Sequence, residues 1–165
     1  MKILVMGLPG AGKTTLAECL ARELRCAHFN ADDIRKHINK DLGFSEADRI
    51  EQALRMSHLC DIAGKYSHAI ADFVCPTPDC REAFNADFIV WVDRIKAGRF
   101  EDTNKMFIPP DGYDYRVTTE FDMAQYHAEV IARLIKPTKE TYHGYQMDTE
   151  GYKTPWGVAQ IIGRA

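Results

Sequence analysis

The sequence has no surplus of positive charge, no paired metal-type cysteines, no internal repeats and no long apolar run. Its 21 Lys and Arg against 24 Asp and Glu leave a formal net charge of −3. Neither duplex nucleic acid nor an anionic membrane surface is therefore expected as a partner, and any polyanion must be small and gripped by local positive groups. Five cysteines (Cys19, Cys26, Cys60, Cys75, Cys80) cannot all pair, and none falls in C-x-x-C spacing. Most lie in apolar segments, where a free thiol acts as a small hydrophobe, so a reduced, cytoplasmic protein is expected. No apolar stretch approaches the about 20 residues that span a bilayer, which excludes a transmembrane role. The N-terminal apolar run is too short for a signal peptide. Six histidines show no ligand spacing. His58 and His68 read as members of one long helix and His127 of the last helix, as solvated or core-edge groups.

What the chain does have is a phosphate-binding signature at its start. Gly7-Leu8-Pro9-Gly10-Ala11-Gly12-Lys13-Thr14, followed by Thr15, fits G-x-x-x-x-G-K-[ST] directly after the apolar Ile3–Met6. The glycines free successive N–H groups to point at a phosphate, and the helix beginning near Lys13 adds its positive dipole end. Lys13 is expected to reach the β- and γ-phosphates of ATP, and the Thr14 hydroxyl to hold Mg²⁺.

At 165 residues, 45% apolar and 27% charged, the chain suits one domain with a full core. Lys2–Met6 reads as a buried central strand and Thr14–Leu24 as a helix packed on a sheet. Ala27–Phe29 reads as a second strand, with Asp32 and Asp33 where the next helix begins. Leu42-Gly43-Phe44 breaks that helix, and Ser45 with Asp48 forms a capping box for a long helix to about His68. Strands follow at Ala69–Cys75, Phe88–Asp93 and Tyr115–Thr118, with helices at Asp79–Phe84 and Asp122–Ile135. Arg94–Phe107 reads as a polar connection. Strands alternating with helices predict a doubly wound α/β fold with a parallel sheet, ligands sitting beyond the strands' carboxyl ends. The pattern fails from Lys136 onward, so residues 1–136 are expected to be one P-loop domain and 137–165 an extension or linker.

Several motifs together resemble one family. Gly7–Thr15, Asp32-Asp33-Ile34-Arg35, Asn39-Lys40-Asp41-Leu42-Gly43-Phe44-Ser45 and Asp48-Arg49 are similar to adenylylsulfate kinase, whose run is close to D-G-D-x-x-R-x-x-L-N-x-D-L-G-F-S-x-x-D-R. The resemblance covers about the first two-thirds of the chain. It implies transfer of the γ-phosphoryl of ATP to the ribose 3′-hydroxyl of adenylylsulfate. Asp32 would be the base near the acceptor hydroxyl and the metal, while Arg35 and Arg49 would grip the anionic acceptor. Phe44 would lie near its adenine, and Asn39 and Gln52 complete the expected acceptor set. Asp32 reads as a base in preference to a helix cap, because a cap leaves Arg35 and Arg49 unexplained. Asp72 is either a carboxylate reaching Mg²⁺ through water or a hydrogen-bonded core group, and Asp93 reads as structural.

This chain departs from the family at four residues and one missing insertion. Ile38, a mild change, stands for leucine, Asn30 replaces the first aspartate of D-G-D, and Gln52 and Leu54 stand where the family has asparagine and often arginine. Only Arg94 and Ile95 separate Asp93 from Lys96-Ala97-Gly98, where the family has a helix and a basic mobile lid; Arg94, Lys96 and Arg99 are the residues that could replace it. Val158–Ala165 looks like the opening strand of a nucleotidyltransferase domain, as in phage-type proteins that fuse a lid-less kinase to such a domain. Three functions compete: an adenylylsulfate kinase, a kinase with another nucleotide, sugar or nucleic-acid hydroxyl as acceptor, and a nucleotide-binding module without catalysis. The expected partner is a small nucleotide acceptor, and a homodimer is left open.

Overall fold

The computed structural model describes residues 1–118 and 123–135, together with the backbone of two short strands at 146–147 and 153–154. The chain divides into two compact units, Met1–Ile135 and Lys136–Ala165. In the first, five parallel strands form one sheet: β1 (Lys2–Met6), β2 (Ala27–Asn30), β3 (Ala69–Phe73), β4 (Phe88–Val92) and β5 (Tyr115–Val117). Among the described residues six helices connect or flank them: α1 (Lys13–Leu24), α2 (Ala31–His37), α3 (Glu46–Ala63), α4 (Pro78–Phe84), α5 (Glu101–Met106) and α6 (Ala124–Leu134). The spatial order is β2-β3-β1-β4-β5, so strand order reverses at β1. That switch point opens a crevice at the carboxyl end of β1, where the glycine-rich loop begins.

The sheet is buried on both faces because apolar residues alternate on both. Ile3 and Val5 point into one core with Leu16, Ala17 and Leu20 of α1 and Ala128 and Ile131 of α6. Leu4 and Met6 point into the other, with Ala53, Met56 and Cys60 of α3 and Phe84 of α4. Each such buried Ile or Leu contributes about 1.5–3 kcal/mol over leaving it in water. Cys19, Cys26, Cys60, Cys75 and Cys80 all carry free thiols. Burial pushes the Cys60 thiol up to about 12. Among the described residues no helix is long and apolar enough to cross a membrane.

The expected element boundaries shift in instructive ways. The long helix stops at Ala63, with Gly64 as its C-cap and the Gly64 N–H bonded to the Cys60 carbonyl, so His68 lies in the loop before β3. Only Lys65-Tyr66-Ser67-His68 separate Gly64 from β3, and they offer the helix no apolar face to bury there. Strand β3 ends at Phe73, since Cys75 adopts a left-handed backbone (φ 48°) that no ladder accommodates. The connection Arg94–Phe107 contains a helix, α5, that its mixed charge concealed. Among its described residues the second unit carries an antiparallel pair, β6 (Gln146–Met147) and β7 (Lys153–Thr154), with Gln146 opposite Thr154. The nucleotidyltransferase-like strand at 158–165 lies outside the described residues.

Candidate active site

The glycine-rich loop is shaped by close approach. Gly7 has φ 148°, and a Cβ there would lie 2.4 Å from the Val92 carbonyl oxygen, so only glycine lets β1 turn beside β4. Gly10 and Gly12 are left-handed (φ 88° and 95°), Gly12 standing at the N-cap of α1. The Ala11 N–H closes the turn onto the Leu8 carbonyl at 3.1 Å. Lys13, almost buried, donates its Nζ to the same carbonyl at 3.0 Å. Burial lowers the Lys13 ammonium below its ordinary value, with the carboxylates of Asp72 and Asp32 acting in the opposite direction.

Behind the loop lies a buried polar network centred on Asp72, only 2% exposed. Sheet register places Asn30 of β2 directly beside Asp72 of β3. Asn30 Nδ2 therefore donates to both Asp72 oxygens at 3.1 Å and to Thr14 Oγ1 at 3.1 Å. Thr14 Oγ1 donates to Asp72 Oδ2 at 2.8 Å, and His28 Nε2 lies 2.7 Å from Asp72 Oδ1. Asn30, in place of a carboxylate, thus supplies a donor that a second aspartate could not. It also caps α2, its Oδ1 accepting the Asp33 N–H at 3.0 Å. The cap is accordingly Asn30, and Asp32 is left facing the cavity.

That cavity has a volume of about 880 Å³ and opens between the loop, α2, the start of α3 and α5. Pro9, Gly10, Gly12, Lys13, Thr14 and Thr15 line one side, and Asp32, Arg35, Phe44, Arg49 and Gln52 another. Gly7, Leu8 and Ala11 shape the loop without lining the cavity. The two arginines converge on one ring: the guanidiniums of Arg35 and Arg49 stand 4.8 and 5.7 Å from the Phe44 centroid. Phe44 itself is 62% exposed, leaving the ring available to a planar ligand. Burial, then the neighbouring Arg49 charge, lowers the Arg35 guanidinium from its ordinary value. Arg35 donates to the Gly43 carbonyl, and Arg49 Nε to the Phe44 carbonyl at 2.9 Å. Gln52 is buried, held by Asn39 Nδ2 on its Oε1 (2.9 Å) and bonded through Nε2 to the Ala31 carbonyl (3.3 Å). Asn39 does not line the cavity; it sits behind Gln52 and fixes which way its amide points.

Sequence reasoning named Arg99 as a candidate for the missing lid but missed the wall it forms with Phe100, Asp102 and Thr103 at the start of α5. Thr103, buried, accepts from Arg49 Nη2 at 3.1 Å and so joins α5 to α3. Its local signal was slight: Glu101 and Lys105, paired at 2.7 Å across one turn. Leu54, where the resemblance would place an arginine, is 48% exposed and does not line the cavity. Of the cations considered for the missing lid, Arg94 Nη1 donates to the Ala11 carbonyl at 2.9 Å, Lys96 is exposed and away from the cavity, and Arg99 lines it.

The donor set suits a hard divalent cation. Thr14 Oγ1 already meets the Asp72 carboxylate, and Asp32 lines the same cavity. Among the described residues no three His, Cys, Asp or Glu side chains form a cage. Such a set fits Mg²⁺, which takes one or two carboxylates and completes its shell with water and substrate phosphates.

Residues 1–91 match the family described as adenylylsulphate kinase. The adenylyl-sulfate kinase of Bacteroides thetaiotaomicron is 40% identical over 82 residues, 46% of this chain and 41% of that protein. That of Emericella nidulans is 37% identical over 82 residues, 46% of this chain and 40% of its own length. The chain thus spans about two-fifths of the curated relatives it matches. Among solved structures, the APS kinase of Mycobacterium tuberculosis in complex with AMPPNP and APS superposes with a TM-score of 0.69 at 22% identity, covering 82% of this chain and 96% of that one. The shikimate kinase of Acinetobacter baumannii superposes at 0.55 with 16% identity over 84% and 94%. At those identities the superpositions speak for the P-loop kinase fold, and the family match over more than half of the residues carries the assignment. The chain belongs to the adenylylsulphate kinase family.

Proposed function

We propose that the protein is an ATP-dependent kinase that transfers the γ-phosphoryl of ATP to the 3′-hydroxyl of adenylylsulfate. One observation carries this reading: a single cavity joins the phosphate loop to an aromatic wall bearing two arginines, with the Asp32 carboxylate lining it as well. Lys13 and the loop N–H groups bind and orient the triphosphate. Phe44 receives the acceptor's adenine, and Arg35 and Arg49 take its sulfate and phosphate oxygens. Asp32 accepts the proton of the 3′-hydroxyl as that oxygen bonds to the γ-phosphorus. The bond from γ-phosphorus to the bridging oxygen breaks, and the electron pair leaves with ADP. Thr14 Oγ1, with Asp72 and Asp32, would hold Mg²⁺, which when bound neutralises charge developing on the phosphates. Asn30 and His28 keep Asp72 aimed at Thr14. The kinase unit is residues 1–136, and 137–165 form an extension. Five free thiols suit a reduced cytoplasmic compartment. A coupled assay of ADP release, with and without adenylylsulfate, tests the reading: release should depend on adenylylsulfate. Release driven instead by another hydroxyl compound would reassign the acceptor, and no release would leave a nucleotide-binding module.

A further inference from the structure

The connection from β4 to α5 is short, yet it is fastened to the phosphate loop at two points. Arg94 Nη1 donates to the Ala11 carbonyl at 2.9 Å. Gly98 lies so close to Pro9 that a Cβ there would stand 2.8 Å from Pro9 Cδ and 2.9 Å from its carbonyl oxygen. Asn104 of α5 then brackets Gly98: its Oδ1 accepts the Gly98 N–H at 2.7 Å and its Nδ2 donates to the Gly98 carbonyl at 2.9 Å. The next residue is Arg99, which lines the cavity together with Gly10, Gly12 and Lys13.

The other guanidiniums and the lysine of the phosphate loop are already engaged. Lys13 holds the Leu8 carbonyl, Arg35 the Gly43 carbonyl, and Arg49 the Phe44 carbonyl and Thr103. Among the described residues Arg99 has no hydrogen-bond or ion-pair partner, although it stands beside a loop built for anions. Lys36 also lines the cavity, but it belongs to α2, the helix of Asp32 and Arg35, and not to the segment fastened to the phosphate loop.

We propose that Arg99 binds the terminal phosphate of the nucleoside triphosphate, presented by a segment that Gly98 and Asn104 fix in place. This rests on the kinase reading. It assigns Arg99 as a binding residue and Asn104 as a positioning residue that acts through it. A guanidinium can span two oxygens of one phosphate, which an exposed lysine cannot do with the same geometry. A cation held over the third phosphate distinguishes ATP from ADP, whereas the loop N–H groups grip both.

Titration calorimetry with Mg-ATP and Mg-ADP on the full chain tests this. Arg99→Ala should weaken ATP about ten-fold, as expected for one charge-assisted contact, and ADP less than about three-fold. Arg99→Lys should recover part of the loss. Asn104→Ala should weaken ATP more than ADP, and its effect should vanish in the Arg99→Ala background, since the two act as one unit. Equal weakening of ATP and ADP by Arg99→Ala, or of neither, overturns the proposal. Lys13→Ala serves as the reference: if it weakens ATP while Arg99→Ala does not, the kinase reading stands and this assignment alone falls. A wild-type chain that binds neither nucleotide overturns both.

Discussion

Two carboxylates of the cavity stand in opposite surroundings. Asp72 is buried and bonded to Thr14, Asn30 and His28, which makes it a fixed anchor held away from the acceptor side of the cavity. Asp32 follows the capping Asn30 by two residues, is exposed, and lines the cavity. Asp32→Asn keeps size and hydrogen-bonding reach but removes the proton acceptor. Turnover in steady-state assays should fall by about a hundred- to ten-thousand-fold while nucleotide affinity changes little. An unchanged rate would reduce Asp32 to a surface acid. Arg49 makes a second residue-scale case. Arg49→Ala should raise the acceptor's KM about ten- to a hundred-fold and leave that for ATP nearly alone. Because Arg49 also bonds Thr103, the control is Thr103→Val, which removes the hydroxyl and keeps the charge. It should raise the acceptor KM by about three-fold, less than Arg49→Ala does. An equal effect would mean that Arg49 serves mainly to hold α5.

At the scale of elements, the acceptor wall depends on how α3 begins. Ser45 Oγ accepts the Asp48 N–H at 3.2 Å, and Asp48 Oδ2 in return accepts the Ser45 N–H at 3.3 Å. Arg49 and Gln52 follow within the first two turns, so this capping box sets where they point. Ser45→Ala should cost about 1 kcal/mol by chemical denaturation and raise the acceptor KM without moving that for ATP. A stability loss with no kinetic change would separate the cap from the site. The phosphate loop and the capping box were legible in the sequence because each is a contiguous motif whose residues act on their own backbone. So was the convergence of Arg35, Phe44 and Arg49, since the Gly43 turn lies between them. The α5 wall was not legible. Six residues of mixed charge show no apolar period, and what holds Thr103 and Gly98 in place is tertiary: Arg49 from another helix and Pro9 from the phosphate loop. Asn39 was misplaced for the same reason, because a motif names a residue without saying whether it faces the ligand or its neighbour Gln52.

For the described unit as a whole, folding and pH are linked through two histidines, His68 half-buried and His127 buried. Burial lowers both His68 and His127 from the ordinary value of 6.5. His127 Nδ1 lies 2.8 Å from the Tyr115 hydroxyl, which a neutral ring can accept and a protonated ring cannot. Both therefore take up a proton less readily in the folded state than in the unfolded chain. Stability is full above about pH 6.5 and is lost as pH falls below that value. Melting temperature should be level from pH 8 to 7 and decline from about pH 6.5 to 5.5, and replacing both histidines with Gln should flatten the decline. A decline of the same slope in that variant would place the effect elsewhere. The central claim, however, is chemical: one cavity brings a triphosphate and an adenine-bearing anion together for phosphoryl transfer. Phosphorus NMR of the wild-type chain with Mg-ATP and adenylylsulfate tests it most directly. The account predicts a new phosphomonoester resonance on adenylylsulfate that grows in equal amount with ADP and is absent with Asp32→Asn. ADP appearing with no phosphomonoester on adenylylsulfate, or no ADP at all, would contradict it.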